Sequence, residues 1–401
     1  MIDHSGKHQI QQIAVVGGGP VGLAAAVALA SAGAKVTLVA RKAPYADNRT
    51  TALLGASIGF LDGIGVWQHC ADKAAALKVM RLVDDTGRLV RAPEVKFTCD
   101  EIGRDAFGYN TENRLLIAAL EQRASECASL SRIDDDAESV TPGDLAVDIV
   151  TKRGARFKAQ LVVGSDGRHS LCREAAGIAV QRRDLEQTAL TFNVSHTRPH
   201  RDTSTEFHTP SGPCVFVPLP GQCSSVVWVS RPDEAARLHA LSDAELGREA
   251  ERQSHSILGA MNVEGERFTF PLSIERPARL AAQRIVLAGE SAHVLPPIGA
   301  QGLNMGLRDA ADLAGIVGDC VAIGDDPGSE SVLASYERSR KADIATRTFA
   351  IDLANRSLLS DFLPVQPARA IGLGLIGSIG PLRRLAMREG LSPSWRRSFF
   401  G

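Results

Sequence analysis

The sequence lacks the features that mark several common protein classes. Its seven cysteines (Cys70, Cys99, Cys127, Cys172, Cys214, Cys223 and Cys320) are odd in number and scattered, and no two form a CxxC pair. That spacing argues against a disulfide framework or a cysteine-built zinc site and suits a reducing compartment. An excess of one charge sign is also missing. The 45 Lys+Arg against 46 Asp+Glu leave a formal net charge of −1, so no global field draws the chain to nucleic acid or to an acidic surface. Internal repeats and low-complexity linkers are absent. The opening stretch MIDHSGKHQIQQ is polar and has no signal-peptide core, so the expected location is cytoplasmic.

What is present is enough for two or three domains with a sizeable core: 401 residues, 44% hydrophobic and 23% charged. Residues 13–40 carry one charged side chain, Lys35, and have the length of a membrane span. The run Gly17-Gly18-Gly19-Pro20 breaks that reading into a strand at 13–16, a turn and an Ala-rich helix at 22–32. A second strand follows at 36–39, giving a βαβ start. The patterns then predict a hairpin over 80–90 turning at Asp85-Thr86-Gly87, a helix over 111–128, and two strands within 147–163. Residues 185–270 alternate, as in CVFVPLP and SSVVWVS, and predict an antiparallel sheet with a helix at 243–258. A parallel-strand pattern returns at 284–288, followed by helices at 301–321 and 332–357. The expected plan is an α/β nucleotide-binding domain in three segments (1–75, 106–184 and 281–360). A hairpin (76–105) and a mostly antiparallel sheet domain (185–280) interrupt it, and a helical segment (361–401) follows.

Three strand ends carry the chemistry. The first is Gly17-x-Gly19-x-x-Gly22, with Pro20 and Val21 inside it, between a strand and a helix as a dinucleotide fingerprint requires. Gly17 permits the tight turn, Gly19 lets the backbone approach a pyrophosphate, and Gly22 lets helix pack on strand. The acid that usually follows about 20 residues on, to hold a ribose hydroxyl, is missing. Ala40 stands in its place, and the adjacent Arg41 can only donate. The second site is GSDGRHSLCR (164–173), with Asp166-Gly167 just past a strand. The third is LAGESAHVLPPIGAQGLNMGLRD (287–309), an apolar run ending in Gly289, then Glu290, a Pro-Pro-Ile-Gly turn and a helix.

Together the three sites resemble those of the class A flavoprotein monooxygenases, whose fold is like that of para-hydroxybenzoate hydroxylase. That fold is an FAD-binding Rossmann-type domain interrupted by an antiparallel-sheet substrate domain, with C-terminal helices. The second site looks like the family's DG motif and the third like its GD motif. DNRTTAL (47–53) looks like the loop carrying a flavin-contacting arginine, here Arg49. NRLLIAAL (113–120) looks like the helix whose polar start, Asn113 or Arg114, touches the cofactor. GPCVFVPLP and PPIGAQGLNMGLRDAADLA are similar to the ubiquinone-biosynthesis hydroxylases (UbiH/UbiF type).

The resemblance implies FAD as cofactor and NADH or NADPH as transient reductant, since no second nucleotide-binding fold is visible. It implies hydroxylation of a prenylated phenol with O2, through a flavin C4a-hydroperoxide, in ubiquinone biosynthesis. Expected cofactor contacts are Gly17, Gly19, Pro20, Val21 and Gly22 in the first site, Arg41, Arg49 and Arg114, and Asp166 in the second. In the third they are Glu290, Pro297, Gly299, Ala300, Gln301, Gly302, Leu303 and Asn304, with Pro297 and Gly299 also flanking the reacting centre. Glu290 is expected to accept from a ribityl hydroxyl. The helix after Gly299 is expected to place its positive dipole at the pyrimidine end.

Bland readings stand beside these. Glu290 is a solvated loop carboxylate, Asn304 caps or packs, Arg168 and Arg173 are solvated, Cys172 packs, and His293 is structural. No catalytic base for a phenol is identifiable; His196, His208 and Trp228 serve equally well as strand residues. Two other functions stay open: a hydroxylase of a small soluble aromatic, and a weakly active flavin-binding scaffold among ubiquinone-biosynthesis proteins. Within residues 368–390 an apolar part is too short to span a bilayer, and Arg383, Arg384 and Arg388 follow it. The segment lies either in the interface of the inner membrane face or on the protein's own core.

Overall fold

A computed structural model describes residues 10–42, 49–88, 91–359 and 379–391. The chain begins β1 (Ile10–Val16), α1 (Pro20–Ser31), β2 (Val36–Val39). Gly19 is the N-cap of α1 and Pro20 its first residue. Proline suits that place because its φ is preset and the missing N–H has no helical partner there. Every residue from Gly22 to Ala30 is buried, as expected of a helix apolar on all sides. Leu23, Val27 and Leu29 are fully enclosed, each contributing roughly 1.5–3 kcal/mol.

The chain continues with β3 (Thr50–Leu54), α2 (Gly55–Gly63), β4 (Ala75–Leu77), β5 (Val79–Asp84), β6 (Val95–Thr98) and β7 (Gly108–Glu112). Next come α3 (Asn113–Glu126), β8 (Leu130–Ile133), β9 (Ala137–Thr141), β10 (Val147–Thr151), β11 (Arg156–Gly164) and α4 (Leu171–Ala175). The central region holds β12 (Val180–His196), β13 (Thr203–Thr209), β14 (Gly212–Leu219), β15 (Cys223–Ser230), α5 (Pro232–Ala240), α6 (Asp243–Gln253) and β16 (Met261–Pro277). The last elements are β17 (Ala281–Ala282), β18 (Ile285–Leu287), α7 (Gln301–Ala322), α8 (Glu330–Leu359) and α9 (Gly380–Leu391).

Three sheets form. The largest has the order β17-β18-β11-β1-β2-β8, with β10 and β9 attached beside β11. Its strands β18, β11, β1, β2 and β8 are parallel. The second has the order β16-β12-β15-β14-β13-β5-β6, antiparallel except where β13 meets β5. The third is β3-β7-β4.

Several expectations shift. The hairpin predicted over 80–90 is wider. The return strand is β6, because the Asp84 carboxylate accepts from Thr86 N–H and Oγ1 and also from Ala92 N–H (2.7 Å), which closes a longer loop. The helix predicted from 111 starts at Asn113, since residues 108–112 pair with β3 and β4. The helix predicted over 243–258 ends at Gln253, and α5 was not anticipated.

Of the C-terminal segment expected over 361–401, residues 361–378 and 392–401 lie outside the described residues. Helix α9 packs on the β5–β6 hairpin. Met387 joins Leu54, Cys99 and Phe107 in a small core. Arg383 donates to both Glu101 carboxylate oxygens (2.5 and 2.6 Å) and lies over the Phe97 ring. Among the described residues no helix is long and apolar enough to cross a membrane.

Glu101 is held down to about 2, chiefly by its Arg383 hydrogen bonds, against partial burial. Arg383→Ala is therefore expected to destabilise the fold at neutral pH by about 1 kcal/mol, the upper end for a partly exposed pair. Because the folded value lies below the ordinary 4.5, this contribution is present above pH 4.5 and fades as pH falls toward 2. Parallel thermal melts of parent and variant across that range check it, and a difference independent of pH would contradict it.

Candidate active site

The site forms where three parallel strands stop together. Val16 is in register with Gly164, and Gly164 with Leu287. Ser165 N–H donates to Val16 O (2.8 Å) and Ala288 N–H to Gly164 O (3.0 Å). The turns after β1, β11 and β18 thus lie side by side.

Their glycines have different reasons. Gly17 has φ +118°, and a Cβ there would lie 2.2 Å from Ser165 O. A Cβ at Gly22 would lie 2.0 Å from Gly17 O. These two are required by backbone packing. A Cβ at Gly19 or at Gly302, at the turn after β1 and the start of α7, would meet no atom of the described residues within 4 Å. Both are exposed.

In the second turn the Asp166 carboxylate accepts from Ser170 Oγ (2.6 Å) and Cys172 N–H (3.0 Å), so it organises its own loop and the start of α4. Arg173 is not solvated as its bland reading had it: it is 6% exposed and donates to Ser291 O (3.1 Å) and Arg168 O (2.6 Å), fastening the second turn to the third. Arg168 also crosses over, reaching Glu290 at 3.3 and 3.4 Å. Cys172 is buried beneath this loop, and burial pushes its thiol well above the ordinary range.

In the third turn Gly289 has φ +71° and Glu290 stays exposed. Val294 forms a two-way backbone bridge with Glu275 of β16. Pro297 follows, half-buried. Gly299 (φ +62°) and Ala300 (φ +53°) then adopt successive left-handed conformations, and Ala300 is the N-cap of α7 without a side-chain cap. The amide of Asn304 is fully engaged with protein. It accepts from Leu54 N–H and Ser57 Oγ and donates to Ala52 O and Ala300 O, at 2.6–2.9 Å. Leu303 packs against the main core. His293 is buried with Nε2 2.7 Å from Asp309.

The remaining predicted residues are spread around the crevice. Ala40 is buried, its Cβ pressed against Gly18, and Arg41 pairs with Asp136 at 3.0 Å. Arg49 lies over Phe268 and Phe270, 5.8 and 5.1 Å from the ring centres. Arg114 pairs with Glu112. Both line an open cleft of about 740 Å³ with Leu115, Asn193, Leu219, Cys223 and Glu264.

Sequence reasoning missed Phe268 and Phe270, although their i, i+2 spacing in RFTFPL was a signal that they share a strand face. One face of the second sheet is a true core, with Leu190, Phe192, Phe207, Phe216 and Trp228 packed with residues of α5 and α6. The opposite face carries Thr191, Val215, Val227 and Phe268, aligned by strand register and only half-buried. Arg49 reaches this wall from the first segment. His196 bonds Arg198 O and Ser224 Oγ, and His208 bonds Glu206, so both are engaged within the sheet.

The residues fit a flavin dinucleotide. Gly19 and Gly302 leave open space at the first and third turns, and Ser165 Oγ and Asn113 Oδ1 are buried polar atoms with no hydrogen-bond partner among the described residues. Among the described residues no cluster would hold a metal. Residues 11–349 match the family model described as an FAD binding domain. The chain belongs to this family, within the class A flavin monooxygenases. It is 33% identical over 390 residues to the ubiquinone hydroxylase UbiL of Rhodospirillum rubrum, covering 96% of this chain and 90% of that protein. It is 29% identical to the 3-demethoxyubiquinol 3-hydroxylase of Escherichia coli, covering 96% and 99%. The solved p-nitrophenol 4-monooxygenase PnpA of Pseudomonas putida superposes with a TM-score of 0.79 at 21% identity, covering 98% of this chain and all of that one. The enzyme is thus an FAD-dependent monooxygenase with the para-hydroxybenzoate-hydroxylase-like fold.

An FAD titration of the apo-enzyme separates the roles. Gly19→Val is expected to fold normally and take up no flavin. Gly22→Ala is expected to lose about 1–3 kcal/mol of stability through the clash with Gly17 O. Glu290→Ala is expected to bind about tenfold or more weakly, the loss of one charged hydrogen bond of about 1.5–3 kcal/mol. Parent-like FAD affinity in Gly19→Val would rule out the crevice as the site.

Proposed function

We propose that this monooxygenase hydroxylates the aromatic ring of a prenylated phenol in ubiquinone biosynthesis, using NADH or NADPH and O2. The observation that carries this reading is end-to-end similarity to UbiL and to the 3-demethoxyubiquinol hydroxylase. The apolar wall of Val215, Val227, Phe268 and Phe270 supports it, since it suits a substrate with little polarity beyond its ring oxygens.

In this reading the turn from Gly17 to Gly22 and the N-terminus of α1 receive the pyrophosphate, favoured by free N–H groups and the helix dipole. Glu290 accepts from the ribityl chain. Pro297 and Gly299 border the ring system, and the backbone from Ala300 to Asn304 presents the first N–H groups of α7. Those donors and the dipole favour negative charge on the reduced cofactor. FAD supplies the reductive oxygen activation, and the protein supplies position and exclusion of water. Arg49, held on its aromatic pair, closes the wall nearest the first segment. The cleft beside Leu115, Leu219 and Cys223 accommodates the prenyl tail. Peripheral contact with the membrane that stores such a substrate belongs to the same reading. The outward side of α9, with exposed Arg384, Leu385 and Arg388, is the surface assigned to it.

The test is one assay with a defined prenylphenol in anionic vesicles, NAD(P)H and O2, analysed for product and for enzyme sedimenting with the vesicles. A hydroxylated ring is expected, with binding weakened by Arg384→Glu plus Arg388→Glu. Reduction of FAD without ring hydroxylation in any prenylphenol would shift the assignment to a small soluble aromatic. Bound FAD that NAD(P)H never reduces would leave a scaffold.

A further inference from the structure

Behind the turn that starts α7 runs a closed circuit of buried charge. Gly289 N–H donates to Asp309 Oδ2 (2.9 Å), which also meets His293 Nε2. Arg340 Nε donates to Asp309 Oδ1 (2.6 Å), and Arg340 Nη1 to Asp343 Oδ2 (2.9 Å). The other oxygen of Asp343 accepts from Arg347 Nε (2.8 Å). Arg347 Nη1 donates to Gln301 Oε1 (3.0 Å), and Gln301 Nε2 donates to Gly299 O (3.0 Å). The path therefore leaves the third motif at Gly289 and re-enters it at Gly299.

Arg340, Asp343 and Arg347 stand at i, i+3 and i+7 on α8, hence on one face. Burial opposes ionisation of Asp343, yet Arg340, Arg308 and Arg347 together hold it far below the ordinary carboxylate range. Arg340 and Arg308 already lie against this carboxylate. Arg347 adds a contact the other two do not make, to Gln301. That contact bears on the one place where a residue with a Cβ sits left-handed inside the motif, Ala300. An alanine takes that conformation only where its surroundings impose it.

We propose that Arg347 is a positioning residue for the cofactor. Through Gln301 it holds the Gly299–Ala300 turn, and that turn aims the free N–H groups of α7. The inference rests on the reading that the N-terminus of α7 faces FAD. Reduced FAD carries the greater negative charge, so the aim of these donors matters more for the reduced form than for the oxidised one.

Two variants isolate the link. Arg347→Lys keeps a charge beside Asp343 but lacks the planar fork that serves two partners at once. Gln301→Leu leaves the Arg347–Asp343 pair intact and removes the relay. Each is expected to bind reduced FAD about tenfold more weakly relative to oxidised FAD. For a two-electron couple that is a midpoint potential about 30 mV more negative, read by dye-equilibrated spectroscopic titration. Melting temperatures of the apo-proteins are expected to stay close to the parent. Lower melting temperatures with an unchanged potential would make Arg347 merely structural and overturn the proposal. Gly302→Val tests the underlying reading separately. Uptake of FAD with parent affinity and potential would show that α7 does not face the cofactor. Loss of FAD in Gly302→Val, with parent potentials in Arg347→Lys and Gln301→Leu, would remove the positioning role alone.

Discussion

Everything at the site depends on the hydrogen-bonded register of three parallel strands, in which Val16, Gly164 and Leu287 lie abreast. Parallel pairing makes the strands end at one edge, and the chain must turn away there, which leaves a crevice at the carboxyl ends. The three motifs are separated by well over a hundred residues each, yet this register places them within one loop's reach. The second sheet then covers the crevice from one side, docked through the Glu275–Val294 bridge.

Close approach of the turns is possible because the residues at the contacts have no side chain. Gly164 lies against Cys172, Gly22 against Gly17 O, and Gly306 against Val21 and Gly289. The strand ends are further secured through their carbonyls, by Arg173 on Ser291 O and by the Tyr336 hydroxyl on Leu287 O (2.7 Å). Asp309 completes the frame by taking Gly289 N–H while paired with Arg340 and His293. Such charges are tolerated away from water because each has several partners, and losing one would strand the rest. A rigid frame of this kind suits a site whose donors must already be aimed when charge develops.

The second sheet divides its labour by strand alternation. Residues pointing one way, Phe192, Phe207, Phe216 and Trp228, are enclosed with α5 and α6 and supply its stability. Residues pointing the other way, among them Thr191, Val215, Val227 and Phe268, are only half covered, and Glu206 stands beside Val215 in the same row. The same period of two thus builds both a core and a half-covered face.

Much of this was legible in the chain because its determinants are local. The βαβ start follows from an apolar run broken by Gly17–Pro20, and α7 from its periodic apolar face after Gly299. The order of the three motifs was sufficient to point to the family and to FAD. The hairpin limits were misjudged because Asp84 closes its loop through Ala92, a contact no short window contains. Glycine itself showed the limit most clearly. Gly17, Gly19 and Gly22 are identical as letters, but two are demanded by neighbouring backbone and one is open to its surroundings. Likewise the composition supplied nearly equal numbers of acids and bases, while their pairing was undetermined: Arg340 meets Asp309 across 31 residues and Arg168 meets Glu290 across 122. The sequence by itself determined the order of most strands, helices and turns, since period and backbone freedom act over a few residues, but not the limits that distant pairing sets. Only the tertiary structure decided which carboxylate meets which guanidinium and which glycine is pressed by neighbouring backbone. Those outcomes depend on distances set by the register of strands remote in the chain.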